Sequence, residues 1–98
     1  MQDQKKLAYI IQEFINPEEW PTLRGIIANW EDQTLCIKFF FSEEVTDQLR
    51  ENASLFASET IAQYADGFLM EDYIYLDRSR PLPSSSFWIY QNLNLSQK

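Results

Sequence analysis

The side chains in this chain that could do chemistry are carboxylates, and they come as neighbours along the backbone: Glu18 and Glu19, Glu43 and Glu44, Glu71 and Asp72. Two carboxylates act as acid and base when they converge on one substrate from environments that drive their pKa values apart. Adjacent residues do not converge, and two of the three pairs fall where the first turn of a helix favours negative charge. The chain has no histidine, so the commonest general base and metal ligand is missing. Its single cysteine, Cys36, has no histidine or second thiol to activate it. No glycine-rich loop could cradle a phosphate, and no carboxylate spacing matches a calcium loop. No catalytic residue, cofactor site or metal site is therefore expected. A small carboxylate-dependent enzyme is a remote alternative that would need a concave site with a raised carboxyl pKa.

With catalysis set aside, recognition is the remaining task, and the charge says of what. The formal charge is −7 over 98 residues, with an isoelectric point near 4.4. Binding to nucleic acid or to an anionic membrane depends on Lys and Arg displacing counterions, so neither is an expected partner. An acidic surface favours a basic protein, or serves solubility alone. Arg78 and Arg80 are too few to make a phosphate site. No apolar run approaches a membrane span, and Gln12 and Glu13 interrupt the apolar stretch near the N-terminus, so no signal-peptide core is expected and the cytoplasm is the default location.

The elements that must position such a surface follow from periodicity. At 45 % hydrophobic and 15 % aromatic, with two glycines and four prolines, residues 1–98 have the material for one globular domain. Thr34 to Phe41 is the most strand-like run, with Leu35, Ile37, Phe39 and Phe41 on a wholly apolar face and Cys36, Lys38 and Phe40 on a mixed one. Before it, Asp3 caps a helix whose stripe is Leu7, Ile10, Ile11 and Phe14. Asn16-Pro17 ends that helix and opens a short turn with Glu18 and Glu19. Thr22 to Trp30 alternates as a strand, with Leu23, Gly25 and Ile27 opposed to Arg24, Ile26, Ala28 and Trp30. It is joined to the central run through Glu31-Asp32-Gln33 as a hairpin. Ser42 is the expected cap of a second helix running to Ala65, with a break conceivable at Asn52 and Gly67 as its left-handed terminator. Met70–Asp77 and Phe87–Gln91 alternate as a closing pair of strands around a loop rich in Pro and Ser. Residues 94–98 are expected to fray.

The order is helix, strand, strand, helix, strand, strand: two αββ halves, about 3–41 and 42–93. The fold class is α+β, an αββαββ chain with a four-stranded, mainly antiparallel sheet and two helices on one face. If the helices cover Ile74, Leu76, Phe87 and Ile89, then Tyr73, Tyr75, Trp88 and Tyr90 gather on the opposite side beside Glu71, Asp72 and Asp77. Amphipathic aromatics among acids suit a basic protein partner. The rival reading packs those rings on Trp30, Ile26 and Phe40 as a second core layer or a homodimer seam. An aromatic sheet face can also stack single-stranded bases, but it would need a basic rim.

The leading amphipathic helix, Pro17-Glu18-Glu19-Trp20 opening a hairpin that contains Ile37-Lys38-Phe39-Phe40-Phe41, a long helix, and Phe87-Trp88-Ile89-Tyr90 near the end together carry a resemblance. The chain resembles the small cytoplasmic immunity proteins that accompany bacterial polymorphic toxins, including those of contact-dependent growth inhibition and YezG-type antitoxins. That resemblance implies a stoichiometric inhibitor of a toxin domain, often a basic nuclease, blocking its active site or its access to substrate. The residues such a role would draw on are Glu71, Asp72, Tyr73, Tyr75, Asp77, Trp88 and Tyr90, with Glu18, Glu19 and Trp20 as a second patch. The alternative is a homodimeric structural or accessory subunit.

Overall fold

The computed structural model describes residues 4–64 and 67–92. The expected cap at Asp3, the helix end at Ala65 and the fraying of 94–98 lie outside them. Helix α1 (Gln4–Phe14) is followed by a 3-10 turn (Pro17–Glu19), strands β1 (Leu23–Glu31) and β2 (Thr34–Phe41), helix α2 (Asp47–Ile61), and strands β3 (Phe68–Tyr75) and β4 (Trp88–Gln91). This is the αββαββ order, and the four strands form one mixed sheet in the order β3-β2-β1-β4. Two of its three strand pairs are antiparallel, and β2 with β3 is parallel.

The apolar face of β2 organises the core. Leu35, Ile37, Phe39 and Phe41 are fully buried, in register with Trp30, Ala28, Ile26 and Leu23 of β1. Leu7 and Ile11 of α1 and Ala53, Phe56 and Ala57 of α2 close over them, so both helices lie on one face of the sheet. Phe14 leaves the expected α1 stripe and is exposed, while Ile15 packs against the core in its place. The β1–β2 hairpin turns at Asp32, which takes the left-handed φ of 56° that an Asp side chain tolerates.

Helix α2 starts four residues later than expected. Thr46 is its cap, its hydroxyl accepting from the Leu49 N–H at 3.1 Å. Ser42 is buried, and its N–H donates to the Thr22 carbonyl at 2.8 Å, prolonging the β1–β2 ladder. Glu43 and Glu44 therefore precede the helix, which is continuous through Asn52.

The closing pair of strands is not a hairpin. β3 and β4 sit on opposite edges of the sheet, and the twelve residues between Tyr75 and Trp88 cross from one edge to the other. A connection that long exceeds the two to five residues of a hairpin, and the fifteen-residue α2 supplies the crossover that a parallel β2–β3 pair needs. The faces change too. Phe39 is in register with Tyr73 and Phe41 with Tyr75, so the tyrosines are on the helix side and Ile74, beside Phe40, is on the other. Two bulges complete the rearrangement. One at Arg24 returns Leu23 to the face of Ile26, and one at Ile89 turns both Ile89 and Tyr90 toward the helices while Trp88 faces away.

Candidate functional site

Asn16 caps the 3-10 turn by accepting from the Glu18 N–H, and Pro17 fixes its first residue. The turn holds Glu18 and Glu19 out in solvent and drives Trp20 inward. Trp20 is 7 % exposed, stacked on Phe39 at 6.2 Å and 9° and edge-on to Phe56 at 5.8 Å. It is therefore an anchor of the core, and only its rim reaches the surface. That rim, with Phe56, floors an open groove of about 380 Å³ between the end of α1 and the side of α2. Phe14 and Leu55 are its exposed apolar walls, and Glu19, Asn52 and Glu59 complete its lining. Two carboxylates and no cation line a half-apolar trough, an arrangement suited to a Lys or Arg whose aliphatic stem lies on an aromatic ring.

The other flank of α2 meets β3. Glu71 accepts from the Tyr73 hydroxyl and, at 3.3 Å, from Ser54 of α2. The Tyr73 ring stacks on Phe39 at 5.9 Å and 13°, with the Arg50 guanidinium 5.2 Å above it. Glu71 and Tyr73 are thus held in fixed geometry, whereas Tyr75, further along the strand, is largely exposed. Asp72 is on the helix-free side in register with Lys38. Cys36, on the same side, is half-buried. Burial pushes its thiol up, Glu31 and Asp72 reinforce that, and Lys38 opposes it.

At the end of β3 a second hollow is lined by Tyr75, Leu76, Asp77, Ser79 and Arg80. Asp77 accepts from the N–H and the hydroxyl of Ser79, and these bonds hold its carboxyl below the usual range. Beneath it lies Arg24, 1 % exposed, whose Nη1 donates to the carbonyls of Leu76 at 3.0 Å and Asp77 at 2.9 Å. Burial lowers its pKa, and Asp77 opposes that. Arg24 is the structural residue that pattern reading passes over. The available signal was a lone cation in the apolar strand Leu23–Ala28.

Trp88 lies on the helix-free face against Phe40 at 5.3 Å, with its Nε1 donating to the Pro83 carbonyl at 3.0 Å. Tyr90 is across the sheet, packed on the core, and its burial raises its pKa. The four aromatics expected on one surface are divided between both faces and both edges. Tyr73 and Tyr90 join the core, Trp88 joins a smaller cluster with Phe40, and Tyr75 is exposed. The structure brings Glu71, Tyr73 and Tyr75 together on the helix side of β3, with Asp77 beyond them. Glu18, Glu19 and Trp20 remain together at the groove.

Among the described residues no group of three or more Cys, Asp or Glu is placed to hold a metal, and no helix is long and apolar enough to cross a membrane. A family model described as MafI2 immunity protein matches residues 4–93. The chain belongs to that family: it is a toxin-immunity protein, of a kind close to those its sequence resembles, and its partner is a cognate toxin. A comparison with curated proteins returned no match.

Proposed function

We propose that this protein neutralises its toxin as a stoichiometric inhibitor, that the toxin domain is basic and is a nuclease, and that the blocked feature is its active site or its access to substrate. Residues 1–98 act as one globular unit in the cytoplasm, by binding and without turnover. The observation that carries the reading is the groove between α1 and α2. Its aromatic floor and the carboxylates of Glu19 and Glu59 sit in a chain of net charge −7, and a nuclease presents cations where its substrate's phosphates go. Opposite fields accelerate encounter, and carboxylates occupy positions meant for phosphate.

The docking surface in this proposal is the helix side of the molecule. Glu18, Glu19 and the rim of Trp20 contribute from one flank of α2, and Glu71, Tyr75 and Asp77 from the other. Tyr73 supports Glu71 from within, Asp72 adds its charge from the helix-free side of the same strand, and Trp88 and Tyr90 take lesser parts because they lie elsewhere. The test is a titration of the cognate toxin domain's nuclease activity. Activity should fall linearly and vanish at one equivalent of this protein. Residual activity at several equivalents, or full inhibition at a small fraction of one, would contradict stoichiometric blocking.

A further inference from the structure

The two edges of the sheet are finished differently. β4 is four residues long and bulged at Ile89, whose carbonyl accepts from Gln12 Nε2 of α1 at 2.9 Å; these features deter an added strand. β3 is eight residues long, carries no Pro, Lys or bulge, and has no strand on its outer side among the described residues. The N–H of Phe68 donates to Gln33 and that of Leu76 to Phe41, both at 2.8 Å toward β2. By alternation, the N–H groups of Leu69, Glu71, Tyr73 and Tyr75 point away from β2, on the side where no described strand pairs with β3. The strand is also where apolar surface is left bare. Phe68, Met70 and Tyr75 are 68 %, 61 % and 57 % exposed, and they are three of the seven large hydrophobics exposed among the described residues.

We propose that β3 receives a strand of the toxin, extending the sheet, and that the incoming strand carries Lys or Arg opposite Glu71 and Asp72. Backbone hydrogen bonds supply affinity in this mode and alternate side chains supply specificity. Charge decides between a toxin strand and a second copy of this chain. The two acids are the middle residues of β3, so an antiparallel pair of β3 strands centred on its two-fold axis sets either Glu71 or Asp72 directly opposite its own symmetry mate, and like charges placed opposite are destabilising. A basic strand meets the same acids favourably. Glu71, held by Tyr73 and Ser54, presents its charge on the helix side, and Asp72 presents its own on the other. The inference rests on the inhibitor reading above and adds where and how the toxin attaches.

The test is amide hydrogen exchange by NMR on the isotopically labelled protein, alone and saturated with the cognate toxin domain. The outward N–H groups of Glu71, Tyr73 and Tyr75 should exchange at least tenfold more slowly in the complex, while the inward ones of Met70, Asp72 and Ile74 change little. In parallel, Asp72→Lys should weaken binding at least tenfold. A saturated complex in which Glu71, Tyr73 and Tyr75 exchange at their free rates would overturn strand addition. So would slowing that appears in the free protein as its concentration rises, since a second copy would then hold the edge. Undiminished affinity of the Asp72→Lys variant would overturn the basic character of the strand. Failure to form any complex would overturn the inhibitor reading, and this proposal with it.

Discussion

Arg24 and Gly25 show how much of this molecule is decided at two adjacent residues. Arg24 replaces an expected strand position with a bulge, and its guanidinium ties the start of β1 to the carbonyls at the end of β3, two strands away. Removing it would leave the part-buried carbonyls of Leu76 and Asp77 without their donor. Gly25 is needed because the Trp88 indole and the Tyr90 carbonyl approach it closely. A methyl group there would sit 2.7 Å from the indole Cζ3 and 2.8 Å from the Tyr90 carbonyl, and the latter is backbone and cannot swing aside. Gly25→Ala should therefore destabilise the protein by about 1–3 kcal/mol, seen as a lower denaturant midpoint with an unchanged slope. Stability equal to the wild type would mean that β4 is not seated where the structure puts it. Arg24 stood out only as a lone cation in an apolar strand, and the bulge itself was not legible, because it shifts the side-chain alternation by one without requiring a particular residue type.

At the scale of elements, what the sequence carried clearly was periodicity over long runs. The apolar face of β2, the first hairpin, the capped Pro17–Glu19 turn and the presence of two helices on one face could all be read from it. Boundaries and partners could not. Ser42 with Glu43 and Glu44 has the composition of a helix start, yet Ser42 prolongs the β1–β2 ladder through Thr22 and the helix begins only at Asp47, capped by Thr46. Thr46→Ala should cost about 1 kcal/mol of stability, whereas Glu43→Gln combined with Glu44→Gln should cost under about 0.5 kcal/mol. Equal losses in thermal unfolding would return the helix start to Ser42. Pairing β3 with β4 was the natural reading of neighbouring strands, but the Pro- and Ser-rich loop between them is long enough to span the sheet. Once β3 pairs parallel to β2, its tyrosines must share the face of Phe39 and Phe41. A tyrosine accepts that position because its ring packs like Phe39 while its hydroxyl finds Glu71.

For the whole molecule, the family implies a cognate toxin as partner, and the rings expected on one aromatic sheet face are divided between the two faces of the sheet. The rings that made such a face attractive are largely committed to holding the fold together, so Trp20→Ala or Tyr73→Ala would confuse unfolding with loss of binding. The exposed carboxylates at the groove avoid that difficulty, because neither Glu19 nor Glu59 is buried. The most direct measurement is therefore the association rate of the cognate toxin domain with the wild type and with the Glu19→Lys, Glu59→Lys double variant, across a range of salt concentrations. Rim charges act on encounter, so the double variant should associate at least tenfold more slowly at low salt and lose most of the salt dependence, with its unfolding transition unchanged. An association rate and salt slope indistinguishable from the wild type would show that the toxin docks away from the groove.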